Sequence, residues 1–232
     1  MPVCVYMSTQ TYRTLVPIPQ HDAVPQAITA LSFDPTSDTL WSGNNSGNVT
    51  AYYTPQGIRG VSFPVGGGLA VNKVIADETQ VRAQGVAGEG VGAWSKGGVN
   101  KWYYRCAEGF SCYQSSRITL CSPSVSVTTF SSTLSSSKTV AVSTSALEIA
   151  LLNSITGSVL RQASVSSIIR HLHFTHSYLL SGDTDGFLRC HDHRTGLRRE
   201  GAAENTVRAH PSEMQGLQSS GNYVYTIGWG LR

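Results

Sequence analysis

The sequence predicts an all-β fold assembled from repeated four-stranded units, on three observations. Residues 179–196, LLSGDTDGFLRCHDHRTG, read as strand, tight turn, strand and closing turn. Leu179 and Leu180 lead into Ser181, the run Gly182-Asp183-Thr184-Asp185-Gly186 supplies turn chemistry, and Phe187 to His191 resume a strand that Asp192 to Gly196 stop. Asp side chains accept hydrogen bonds from nearby backbone amides, and Gly tolerates positive φ. The same order of features recurs at 40–57, more weakly at 141–157, faintly at 81–85 and again from 223. With Ser42, Gln84, Ser143, Ser181 and Ile227 as markers, the steps are 42, 59, 38 and 46 residues. All but the second suit a WD-type propeller blade of about 40 to 45 residues. Composition agrees, since 23 glycines and 13% charged residues suit short strands and turns, and no stretch of ten or more residues carries a helical period. The expected architecture is an incomplete β-propeller of about four four-stranded blades plus a partial fifth.

In chain order, residues 1–26 are expected to form an irregular N-terminal segment, with Val3 to Met7 able to add a strand and three prolines between 17 and 25 interrupting regular structure. The partial propeller then spans 27–232 in units of about 27–66, 70–105, 124–163, 167–210 and 213–232. Alternation places strands at 27–33, 39–43, 48–53 and 57–65 in the first unit, and at 71–76, 81–86, 91–96 and 99–105 in the second. The third unit is Ser/Thr-rich, yet Val125, Val127, Phe130, Val140, Val142, Ile149 and Leu151 keep strand-like spacing. Residues 106–122, CAEGFSCYQSSRITLCS, read as an insertion, because removing about 17 residues brings the long step back to the repeat length.

Several side chains invite a chemical role, and for each a structural role is the simpler account. A histidine at the start of a unit, a Ser or Thr on its second strand and an Asp or Asn in the next turn can form a structural hydrogen-bond network. His21, Ser42 and Asn45 are the candidates in the first unit, and His210 stands at the start of the fifth as His21 does at the first. Gly43, Gly47, Gly182, Gly186 and Gly196 are turn glycines, and Ser181, Asp183, Asp185 and Asp192 complete the set of structural candidates. The glycines between 85 and 98 do not make a phosphate loop, which needs a Gly-Lys-Ser/Thr opening a helix. His171 and His173 share a strand face, with His176 in the turn beyond, but no Cys or carboxylate lies nearby to complete a metal site. Asp183 and Asp185 begin like a calcium loop and lack its remaining ligands. Five cysteines without a CxxC pair argue against a disulfide framework and a zinc site. No catalytic, cofactor-binding or metal-binding residue is assigned, and no cofactor is expected.

A net charge of +3 is too small to imply nucleic acid, and the chain shows neither a signal-peptide pattern nor 18 consecutive apolar residues. A cytoplasmic location, with no membrane partner and no small-molecule substrate, is the expectation.

Four segments together carry a resemblance: AITALSFDPTSDTLWSGNNSGNVTAYY at 27–53, GIRGVSFPVGGG at 57–68, HLHFTHSYLLSGDTDGFLRCHDHRTG at 171–196 and RAHPSEMQGLQSSGNYVYTIGWGLR at 208–232. This combination resembles the amino-terminal WD-repeat region of the catalytic subunit of the fungal poly(A)-nuclease deadenylation complex. Phe33-Asp34 with Leu40-Trp41-Ser42-Gly43-Asn44, and Thr226-Ile227-Gly228-Trp229, are its more specific parts. The resemblance implies a seven-bladed propeller followed by a linker, a ubiquitin-hydrolase-like domain and a carboxylate-dependent exonuclease domain, with only part of the propeller represented here.

It further implies a role in shortening mRNA poly(A) tails, with the propeller helping to dock an adaptor subunit that bears a pseudokinase domain. Poly(A)-binding protein and its poly(A) ribonucleoprotein would be engaged indirectly. The chain itself is not expected to be an enzyme, because a two-metal exonuclease needs clustered carboxylates and the 14 acidic residues fall mostly at turns. A serine hydrolase is likewise disfavoured, since no GxSxG elbow is present. The alternative is a generic WD-repeat scaffold unrelated to RNA.

Overall fold

The computed structural model describes residues 3–6, 12–15, 26–65, 68, 70–85, 90–104, 127–132, 139–175, 178–192, 197 and 206–229. Every helix or strand among them is a strand. The insertion expected at 106–122 lies outside the described residues, as do His21, His176 and Gly196.

The chain divides into two compact units, residues 1–87 with 91–103, and residues 88–90 with 104–232. The first unit begins with a two-stranded sheet of β1 (Val3–Tyr6) and β2 (Tyr12–Leu15). Val3–Tyr6 is the strand that Val3 to Met7 allowed, paired within the N-terminal segment, and Tyr12–Leu15 is regular where an irregular segment was expected. VCVY and YRTL are rich in β-branched and aromatic types and pair antiparallel with each other, Val3 against Leu15 through Tyr6 against Tyr12. Two four-stranded meanders follow: β3 (Ile28–Phe33), β4 (Thr39–Asn44), β5 (Asn48–Tyr53) and β6 (Ile58–Pro64), then β7 (Val71–Ala76), β8 (Gln80–Gly85), β9 (Val91–Ser95) and β10 (Asn100–Tyr104). Trp41, Val49, Ala51 and Phe63 of the first meander pack with Val71, Val74, Val81, Ala83 and Trp94 of the second.

The second unit repeats the plan. It holds β11 (Val127–Ser132), β12 (Thr139–Thr144), β13 (Glu148–Asn153) and β14 (Val159–Ser164), then β15 (Ile169–Phe174), β16 (Leu179–Asp183), β17 (Phe187–His191) and β18 (Thr206–Arg208). A two-stranded sheet of β19 (Met214–Ser220) and β20 (Tyr223–Gly228) follows. Ala141, Ile149, Leu151 and Val165 form one core with Ile169, Leu172 and Leu179. Each four-stranded sheet runs in simple chain order, with successive strands antiparallel.

One irregularity recurs in all five of the larger repeats and fixes their true alignment. The first strand of each sheet carries a bulge against the second, with the register shifting at Ile28/Ala30, Val71/Lys73, Val127/Thr129, Ile169/His171 and Met214/Gly216. Counting from the bulge, Ser42 pairs with Leu31, Ala83 with Val74, Val142 with Phe130, Ser181 with Leu172 and Thr226 with Leu217. The equivalent residues are therefore Ser42, Ala83, Val142, Ser181 and Thr226. Gln84, Ser143 and Ile227, the markers chosen by side-chain type, each sit one place too late. In a strand a one-residue slip moves a side chain to the opposite face, so the correction decides which residues meet the neighbouring sheet.

Candidate interaction surface

The turns between second and third strands are built alike wherever Asn or Asp begins them. Asn44 Oδ1 accepts the backbone N–H of Ser46 at 3.0 Å and of Asn48 at 2.9 Å. Asp183 Oδ1 accepts those of Asp185 at 3.0 Å and Phe187 at 2.8 Å. Gly47 and Gly186 end these turns at φ 78° and 82°, in the left-handed region that glycine enters without strain. The carbonyl of Gly47 then accepts Val65 N–H, and that of Gly186 accepts Ala209 N–H, so each turn also ties down the exit of its fourth strand.

The expected network in the first sheet needs correcting at Asn45. Asn44 does the bridging, and Asn45 is exposed and joins only through its backbone N–H, which donates to Ala27 O. Asn44 occupies the Asp183 position in the bulge register, which side-chain spacing alone did not reveal. Ser42 Oγ donates to Thr50 O at 3.4 Å, and Gly43 is buried where any Cβ would come within 2.6 Å of Val71.

In the fourth sheet Asp183 is fully buried and accepts from Ser167 Oγ and from the Arg189 guanidinium. Ser181 Oγ and His191 Nε2 lie 2.8 Å apart. Asp185 is exposed and contributes only its backbone N–H, so the turn-capping work assigned to both aspartates falls to Asp183. Gly182 is buried against the Met214 thioether. Asp192 stands half-buried; burial first, and the Asp192 charge second, push the Cys190 thiol up. His210 makes the bond expected of a histidine at the start of a unit, its Nε2 lying 3.0 Å from Thr226 Oγ1 on the second strand.

Sequence reading missed an ion-pair cluster between the first two sheets. Asp34, at the end of β3, accepts from Lys96 Nζ at 2.8 Å, from the Trp41 indole N–H at 3.2 Å and from Thr36 N–H at 2.9 Å. Burial alone would raise its carboxyl, but Lys96, the Thr36 amide, the Trp41 indole and the Thr36 hydroxyl outweigh it and hold the group well below the usual carboxylate range. Asp77 answers it on the next sheet, accepting from Thr79 N, Gln80 N and the buried Arg82, and it too is held low against the opposing effect of burial. The signal available in the sequence was Phe33-Asp34 followed by Trp41, read above only as part of a resemblance.

Among the described residues no group of three or more His, Cys, Asp or Glu could hold a metal ion. Among the described residues the exposed large hydrophobics include Leu31, Phe33, Tyr53, Ile58 and Val99 in the first unit, and Leu160, Val207, Tyr223, Tyr225, Ile227 and Trp229 in the second. Four-stranded meanders with Asx-capped turns and buried side-chain networks define the WD-type β-propeller class.

No protein-family profile matches the chain. In sequence it is similar to the "PAN2-PAN3 deadenylation complex catalytic subunit PAN2" of Cryptococcus neoformans, 31% identical over 229 residues that cover 93% of this chain and 18% of the relative. The chain thus spans less than a fifth of the length of that curated relative. In fold it is similar to the WD40 domain of Neurospora crassa Pan2, with a TM-score of 0.70 over 89% of this chain and 57% of that one, at 15% identity. It also matches the β-propeller domain of Cps50 (Swd1) from Myceliophteria thermophila, with a TM-score of 0.59 over 79% of this chain and 56% of that one, at 16% identity. The resemblance read from the sequence therefore stands: the chain is similar in sequence to part of a PAN2 subunit and in fold to a Pan2 WD40 domain.

Proposed function

We propose that the chain is a non-catalytic protein-interaction module of a cytoplasmic deadenylase, one that shortens mRNA poly(A) tails. It docks the pseudokinase-bearing adaptor subunit and, through that complex, engages poly(A) coated with its binding protein. The observation that carries this reading is similarity to PAN2 along 93% of the chain. The fold supports it, because a propeller presents turns and exposed aromatic positions while its buried carboxylates are occupied in capping and ion pairs.

Direct titration of the purified chain into the purified adaptor subunit tests it, with calorimetric or interferometric readout and an unrelated WD-repeat protein as control. Saturable binding absent from the control is expected, as is no shortening of labelled poly(A) by the chain alone in the presence of Mg²⁺. Equal behaviour of chain and control would favour the generic scaffold. Shortening of poly(A) that persists through repurification would overturn the non-catalytic part.

A further inference from the structure

We propose that His173 makes the joint between the fourth sheet and the β19–β20 sheet a pH-sensitive latch, closed by the neutral imidazole and opened by its protonation. His173 lies on β15, with its Nε2 3.2 Å from the Ser219 backbone nitrogen of β19 and 2.9 Å from Ser219 Oγ. A backbone nitrogen can only donate, so Nε2 presents its lone pair and the ring proton sits on Nδ1. An imidazolium carries a proton on both nitrogens and would set one N–H against another. It could still donate to Ser219 Oγ, whose hydroxyl turns to accept, but the amide would lose its acceptor. The Ser219 amide is therefore the group that reads the latch.

Two other histidine bonds lack this property. His191 Nε2 and His210 Nε2 lie 2.8 Å and 3.0 Å from the hydroxyls of Ser181 and Thr226. A hydroxyl donates to a neutral ring or accepts from a charged one, so those bonds survive protonation.

The bulge register supplies a control inside the same molecule. Leu31 and Leu172 hold one place in the repeat and Val74 and Leu217 another, so Ser32 matches His173 and Ala76 matches Ser219. Ser32 Oγ accepts the Ala76 N–H at 3.0 Å. That joint has the same construction, and its acceptor does not titrate near neutral pH.

β15 packs against β11, β12, β16 and β19. Of these, β11, β12 and β19 carry no titratable side chain. β16 carries Asp183, which pairs across to Ile169 at the far end of β15 and is engaged by Arg189 and Ser167. Arg170 on β15 is paired with Glu213 at 2.8 Å, and His171 stands two residues from His173 on the same face. Cys190 of β17 lies opposite Leu180, the cross-strand partner of His173. Both carboxylates in this set are thus held by arginines, and neither is placed to stabilise a charged His173.

A free histidine takes up its proton near pH ~6.5, so the latch is fully closed above that value and weakens as pH falls below it. One proton competing with one closed joint shifts the opening equilibrium about tenfold from about pH 7.5 to about pH 5.5. Asp34 and Asp77, whose carboxyls are held low, stay ionised throughout that window and leave the first two sheets unchanged.

Amide exchange of the full chain, followed by NMR across that window and corrected for the intrinsic pH dependence of exchange, tests this by comparing Ser219 with Ala76. The protection of Ser219 relative to Ala76 is expected to fall about tenfold from about pH 7.5 to about pH 5.5. In His173→Ser, which copies the Ser32 joint, the ratio should be flat. The comparison of the two amides in the unmodified chain decides the matter even if that variant unfolds. A ratio that does not change with pH in the unmodified chain overturns the proposal, as does a fall that persists in His173→Ser.

Discussion

The backbone N–H of Ala76 donates to Ser32 Oγ at 3.0 Å, joining the first strands of two successive sheets. The equivalent bond in the second unit runs from Ser219 N–H to His173 Nε2 at 3.2 Å, with Ser219 Oγ also 2.9 Å from that nitrogen. Serine and histidine thus hold one place in the repeat, each accepting a backbone proton that strand pairing leaves over. Ser32→Ala removes the acceptor without adding bulk. It should cost about 1–2 kcal/mol, and Ser32→Thr should recover most of that. Urea unfolding measures the loss, and faster exchange of the Ala76 amide would locate it.

The Asp34 cluster predicts an acid-labile first unit. Asp34 and Asp77 have carboxyl pKa values below their unfolded ones, so the folded state binds fewer protons in acid than the unfolded state does. Their stabilisation is complete above the unfolded carboxylate value of about 3.9 and is lost as pH falls through the lower folded values. Asp34→Asn should flatten the fall in stability below about pH 4. At neutral pH it should cost about 3 kcal/mol, because Lys96 then loses its partner. Denaturant midpoints of both chains measured at neutral pH and in acid would show a constant offset if the ion pair is not responsible.

Lys73 gives a second rise of stability with pH, at alkaline pH. Burial pushes its amine down to about 8 from 10.5, so between those values the unfolded state carries the proton more often than the folded one. Stability should rise with pH across that window, and Lys73→Met should remove the rise while stabilising the protein at neutral pH. An unchanged pH slope in the variant would assign the effect elsewhere.

The third sheet contains a defect that can be repaired. Leu147 occupies the turn position of Gly47 and Gly186 at φ 59°, and Thr144, at the position of Asn44 and Asp183, has a buried hydroxyl without a hydrogen-bond partner. The Leu147 carbonyl still accepts Val165 N–H as the glycines do for their own strands, so the turn is retained under strain. Leu147→Gly should stabilise by about 0.5–1 kcal/mol, relief of left-handed strain less the added freedom of the unfolded chain. Thr144→Asn should add about 1 kcal/mol by supplying the missing turn acceptor. Thermal melts of the single and double variants would read both increments, and a lowered midpoint for Leu147→Gly would refute the strain.

The sequence by itself determined the all-β class, the approximate repeat and nearly every strand, because alternation, β-branched residues and turn glycines are local signals that a two-residue period preserves. It also carried the resemblance to PAN2, through short runs such as Leu40-Trp41-Ser42-Gly43-Asn44. What it could not determine was register. The bulges at Thr29, Asn72, Thr128, Arg170 and Gln215 have no common side chain, since a bulge is set by backbone pairing across two strands. Only the folded sheets show that Thr226 rather than Ile227 matches Ser181, and hence that Ile227 and Tyr225 lie on the face the other sheets bury. Asn44 and Asn45 are likewise the same residue type one step apart, and the tertiary structure alone selected the one whose carboxamide reaches the turn amides. Composition gave no hint of the Asp34–Lys96 pair, because its partners stand 62 residues apart and meet only when one sheet stacks on the next.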